Sequence, residues 1–232
     1  MTDLILCAAI INDEETLRKT IKSMEVHKFI KKFLLFDGPP DSLLKTDYDR
    51  YRKYKDDIIK DYPEFEVTEY PENIYYKPML DQFIRKNYDD ITDELLILQD
   101  DVLVDDFDLE EVLVKKDEIE NCKILYFREN RLRCSHWFNV IDDSLEDVVK
   151  THGWSERVWI TNKKDILEIF DNLPSRGGKN GKFIDVYYYN LMARGSWKTL
   201  SEEVKEEHWL KWGTYEHKTI RHKHLVAKRS KR

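Results

Sequence analysis

The chain has 232 residues, with 39 Lys or Arg against 46 Asp or Glu and a formal net charge of −7. That length suits one large domain or two small ones with a substantial core, and the acidic balance argues against a general nucleic-acid binder. No stretch approaches the ~20 consecutive apolar residues of a membrane span, and the cysteines Cys7, Cys122 and Cys134, which lack metal-ligand spacing, fit a reducing, cytoplasmic setting.

Residues 4–11 read as a strand, since the run is short, follows Asp3 and lacks the basic leader of a signal peptide. Asn12-Asp13-Glu14-Glu15 resembles a capping box, and Leu17, Ile21 and Met24 line one face of the helix it opens. A strand over 33–36 ends at Asp37-Gly38-Pro39-Pro40, a strong turn. Tyr48, Tyr51, Ile58 and Tyr62 predict a polar surface helix, and a strand over 65–70 stops at Pro71. Pro78 suits a first helical turn, with Leu80, Phe83, Ile84 and Tyr88 as the apolar face. Residues 95–98 then form an apolar run that reads as a strand buried on both faces, ending in Asp100-Asp101.

Alternating strands and helices imply parallel pairing through right-handed crossovers. Residues 12, 37, 71–77 and 100–101 thereby meet at one edge of one sheet, where open α/β sheets bind ligands. Two hard carboxylates at a strand tip suit a divalent cation that carries phosphate.

The second half is less regular. A helix is predicted at Leu109, Val112 and Leu113, strands at 124–127, 137–141 and 158–160, and an amphipathic helix at Ile166, Ile169, Phe170 and Leu173. A glycine-rich loop over 175–181 precedes a further helix with Ile184, Tyr187, Tyr188, Leu191 and Met192 on one face. All six tryptophans lie in this half, where aromatic faces suit sugar rings, although for any one of them a core position is the better expectation. From Lys218 onward there are seven Lys or Arg and no acid, a basic tail able to meet a membrane surface or phosphate, or to fray as a terminus.

Three of these segments resemble the GT-A superfamily of nucleotide-sugar glycosyltransferases: the opening strand with Asn12-Asp13-Glu14-Glu15-Thr16-Leu17, the second strand ending in Asp37-Gly38, and 97–102, similar to the family's metal-binding acidic triplet. Together they cover about residues 4–105. The Lys-, Ile-, Asp- and Tyr-rich composition is similar to enzymes with which large DNA viruses glycosylate capsids. The resemblance implies an α/β fold of the GT-A, Rossmann-like kind, a three-layer α/β/α with a central mostly parallel mixed sheet. It implies one domain over 1–232, with about 1–105 binding the nucleotide sugar and about 106–232 the acceptor. The triplet departs from the family's acid-any-acid form: it is Gln99-Asp100-Asp101, closer to a variant whose last aspartate carries the metal. Asp101 is therefore expected to bind Mn²⁺ or Mg²⁺ and Asp100 to help hold the ribose or a metal-bound water. Asp37 is expected at the ribose or base, Ile11, Asn12 and Glu14 beside the base, and Lys77 at phosphate.

Inverting transfer further requires a general base under the acceptor hydroxyl. Asp185, just after the glycine-rich loop, fits that role, with Glu156 as the fallback. A late histidine of the family often joins the metal; His217 is expected there, in competition with His208, His222 and His224. The implied reaction moves a sugar from a UDP- or GDP-sugar to a glycan or glycoprotein hydroxyl. Alternatives are a sugar-phosphate nucleotidyltransferase, disfavoured because residues 8–12 carry no glycine, and a GT-A-like domain that only binds carbohydrate.

Overall fold

The computed structural model describes residues 1–8, 14–39, 45–129, 140–151, 157–172 and 213–225. The first half follows the predicted alternation: β1 (Thr2–Ala8), α1 (Glu14–Met24), β2 (Lys32–Phe36), α2 (Lys45–Asp61), β3 (Phe65–Glu69), α3 (Tyr76–Lys86) and β4 (Glu94–Gln99). A two-residue link leads to β5 (Val102–Val104) and then α4 (Leu109–Glu118). The second half adds β6 (Ile124–Glu129), β7 (Val140–Asp142), β8 (Val148–Thr151), β9 (Val158–Asn162), α5 (Lys163–Asn172) and β10 (Thr214–His224).

One ten-stranded sheet runs through both halves in the order β3-β2-β1-β4-β9-β6-β10-β8-β7, with β5 paired to β10. The strands β3, β2, β1 and β4 are all parallel. β9 runs antiparallel between β4 and β6, β6 and β10 are parallel, and β8 and β5 oppose β10. The sheet is thus mixed, with most strands pointing one way.

Apolar runs without polar alternation form these strands because both sheet faces are covered. Leu4, Leu6, Leu34, Phe36, Leu96, Leu98, Leu125 and Phe127 pack under α1, α2 and α4. The alternate residues Ile5, Cys7, Phe33, Leu35, Leu95, Ile97, Ile124 and Tyr126 pack under α3 and α5. Described helices on both faces give the three-layer α/β/α sandwich expected from the sequence. Tyr51 and Tyr54 give α2 a more buried face than its polar composition suggested.

Three strands differ from expectation. The sequence predicts neither β5 nor β8, and the segment carrying Lys218, Arg221 and Lys223 is the inner strand β10, not a tail. There Lys218 Nζ pairs with Asp143 at 2.7 Å. Trp159 lies in the core, fully buried, with Nε1 donating to Tyr76 Oη at 3.1 Å.

Candidate functional site

In the order β3-β2-β1-β4 the winding reverses between β1 and β4, which opens a crevice beyond their carboxyl ends. Register brings the acidic residues to that place. Cys7 pairs with Gln99 on one side and with Leu35 on the other, so β2 and β4 end level with β1. The Asp37 N–H then donates to Ala8 O at 3.1 Å, and the Asp100 N–H to Cys7 O at 3.0 Å. The two aspartates that follow the apolar runs therefore hang on the last carbonyls of the same central strand.

Asp100 and Asp101 form the two-residue turn between β4 and β5. Asp100 is buried and Asp101 half-buried. The turn is fixed from several directions. Gln99 N donates to Arg157 O at 2.9 Å, just before β9, and Leu225 N, just past β10, donates to Asp101 O at 2.6 Å. Two adjoining carboxylates suit a hard cation such as Mg²⁺ or Mn²⁺, which keeps several waters and takes one or two protein carboxylates plus phosphate oxygens. Among the described residues no group of three or more His, Cys, Asp or Glu is arranged to hold a metal ion, so phosphate oxygens and water would have to complete the coordination.

Asp37 is 6% exposed, and its carboxylate accepts three backbone N–H groups: Gly38 (2.9 Å) and Ile74 (2.9 Å) at Oδ1, and Tyr75 (3.0 Å) at Oδ2. Burial pushes its pKa up, and these three bonds offset only part of that rise. The same corner is stitched again by Asn73 Nδ2 donating to Gly38 O (3.0 Å) and Tyr51 Oη donating to Asp37 O (2.8 Å). Gly38 is required here, because a Cβ would lie 2.2 Å from the Glu72 carbonyl carbon. Tyr75 takes φ 69°, ψ 166°, a region open almost only to glycine, and it opens α3. Asp37 thus works as a clamp on the loop over 72–75, a role that the sequence did not reveal because its donors lie 37 and 38 positions away.

The other expected residues separate. Lys77 Nζ sits 5.2 Å above the Phe170 ring, a cation–π contact that leans it toward α5. Glu14, in the first turn of α1, accepts from Arg18 Nε at 2.8 Å. His217 is not brought beside Asp101. It pairs in register with Phe127 and Val148, is 4% exposed, and its Nδ1 accepts the Ile220 N–H at 3.1 Å. Burial lowers its pKa. A bulge separates His217 from Arg221, and beyond it His224 pairs with Val102, the residue after Asp101. Of the competing histidines, His222 is fully buried with Nδ1 2.8 Å from Phe127 O. Ile11, Asn12, Glu156, Asp185 and His208 lie outside the described residues.

No family model matches this chain, and no curated protein matches it. Solved structures do. The chain is similar to GalNAc-T7 with UDP, GalNAc and Mn²⁺ (TM-score 0.58, 9% identity), over 98% of this chain but only 44% of that one. It is also similar to a mannose-1-phosphate geranyltransferase from Thermus thermophilus (TM-score 0.53, 12% identity, 94% of this chain and 74% of that one). A CMP:2-keto-3-deoxy-manno-octonic acid synthetase complexed with CTP matches at TM-score 0.50 and 10% identity, over 97% of this chain and 89% of that one. At these identities the likeness concerns the fold alone, a Rossmann-like α/β/α sandwich of GT-A type.

Proposed function

We propose that this chain is a nucleotide-sugar-dependent glycosyltransferase that uses Mn²⁺ or Mg²⁺ and transfers from a UDP- or GDP-sugar to a hydroxyl of a glycan or glycoprotein. The observation that carries the reading is the acidic turn at the winding reversal, with Asp100 hung on the end of β1 and Asp101 backed by residue 225. In this reading Asp101 holds the divalent ion, and Asp100 fixes the turn from its buried position. The bound ion would supply Lewis-acid charge neutralisation at the departing diphosphate. Asp37 acts on the donor through the loop it clamps. His224 replaces His217 as the histidine nearest the turn by register. Asp185 remains the candidate general base and Glu156 its fallback, and the whole chain is read as a single domain. Peripheral membrane contact, in this reading, would rest on the basic residues Lys228, Arg229, Lys231 and Arg232.

A sugar-phosphate nucleotidyltransferase is the second reading, favoured by the fold it shares with a synthetase complexed with CTP. The two reactions are separable. The full chain is incubated with UDP- and GDP-sugars and manganese, and released nucleoside diphosphate is followed by chromatography. Diphosphate release that disappears in Asp101→Ala supports glycosyl transfer. Pyrophosphate release from a nucleoside triphosphate and a sugar phosphate, with no diphosphate release, would replace that reading by the second. The Asp101→Ala loss should be roughly a thousandfold in kcat/KM, the scale for removing a group that stabilises developing charge.

A further inference from the structure

A side chain of the helical layer also tethers the acidic turn. Thr20, on α1, is fully buried and its Oγ1 lies 2.8 Å from Val102 O and 3.0 Å from Asp100 O. Its own helical carbonyl, Thr16 O, is farther away at 3.3 Å. A hydroxyl normally bonds back to the preceding turn of its helix. Here the hydroxyl oxygen lies nearer to the two carbonyls on either side of Asp101 than to the carbonyl of its own helix. Backbone bonds reach Asp100 N from β1 and Asp101 O from residue 225, and Thr20 adds a link from the helix that covers the sheet.

We infer that Thr20 is a positioning residue for the metal-bearing turn: its hydroxyl gathers the Asp100 and Val102 carbonyls and so fixes the direction in which the Asp101 carboxylate leaves the backbone. The inference rests on the proposed role of Asp101. Thr20 touches neither ion nor donor. It acts as outer-shell groups do, by narrowing the orientations that a ligating carboxylate samples. Valine has the same shape without the proton, so Thr20→Val keeps the packing and releases the carbonyls. Serine keeps the proton.

Thr161 provides a matched control. It is also fully buried, on β9, and its Oγ1 donates to Lys123 O at 2.8 Å, away from the acidic turn. Manganese affinity of the full-length chain is measured by calorimetry in saturating UDP or GDP, beside the melting temperature, for the native protein, T20V, T20S, T161V and D101N. T20V should weaken manganese binding about tenfold, the usual size of an outer-shell effect, with T20S near native. T161V should lower the melting temperature with no change in manganese affinity. Native manganese affinity in T20V, when D101N has lost it, would overturn the inference and leave the proposed function standing. Equal weakening in T20V and T161V would also overturn it, as general loosening. Unchanged binding in D101N would remove the reading on which the inference depends.

Discussion

Two buried aspartates staple the two edges of the sheet, and they do so differently. At the amino edge, fully buried Asp3 accepts Lys31 N at 2.9 Å and Thr92 N at 2.8 Å, which joins the loops that lead into β2 and β4. At the carboxyl edge, Asp37 accepts three N–H groups with similar lengths. The chemistry is the same, yet the second staple holds a strained backbone: Tyr75 and Asn121 are the non-glycine residues with positive φ among those described, and Tyr75, with ψ 166°, lies in a glycine-like region. The staple at the amino edge joins two loops. At the carboxyl edge it keeps a loop in a shape the chain would not otherwise adopt, as strained residues at ligand sites are kept.

The largest expected effect tests whether the staples differ in purpose. Asp3→Asn leaves one carboxamide oxygen for two N–H groups and should cost about 2–3 kcal/mol of stability, with nucleotide affinity unchanged. Asp37→Asn should cost less, because freeing Tyr75 also releases strain, and should weaken UDP or GDP binding. Chemical denaturation and a nucleotide titration of both variants read this directly. Equal stability losses with no change in nucleotide binding would erase the distinction.

A smaller effect sharpens it. Tyr75→Gly should stabilise by about 1 kcal/mol, the relief of a glycine-only conformation less the entropy that glycine adds to the unfolded chain. For a chain of this size that is a rise of about 3 °C in Tm, accompanied by weaker nucleotide binding. A fall in Tm would show that the Tyr75 ring contributes more than its backbone costs.

The smallest effect comes from buried histidines. Burial lowers the pKa values of His27 and His217, so the unfolded chain binds protons there more readily than the folded one. Stability should then fall as pH drops below the ordinary histidine value of about 6.5, by at most ~1.4 kcal/mol per pH unit for each group. His217→Asn, which retains an acceptor for the Ile220 N–H, should flatten part of that slope in melting curves recorded from about pH 7.5 to 5.5, the range spanning that value. An unchanged slope would assign the acid loss to other groups.

The half of the fold that could be read from sequence is the half whose signals are local. Each of β1, β2 and β4 contains an unbroken apolar run of four or more residues, and the aspartates after β2 and β4 mark their carboxyl ends without reference to distant residues. β10 carries no such mark. Glu216 and His222 are buried in it because partners from β6 reach them: Tyr126 Oη donates to Glu216 Oε2 at 3.1 Å, and His222 Nδ1 lies 2.8 Å from Phe127 O. The order of the histidines along β10 is hidden for a related reason. A bulge between His217 and Arg221 resets the register, so the histidine next to the acidic turn by strand pairing is His224. The Asp37 clamp escaped notice because a turn aspartate before glycine needs no further explanation locally.

The pairing of β10 also has a temporal consequence. This strand joins β6, β8 and β5, and the residue just beyond it donates to the Asp101 carbonyl. On the ribosome the early strands β1 to β4 can associate while the chain is still emerging. The acidic turn, made early, waits for a partner encoded more than a hundred codons later. Vectorial synthesis therefore leaves the nascent chain with an acidic turn that is formed but unbraced until β10 has been made.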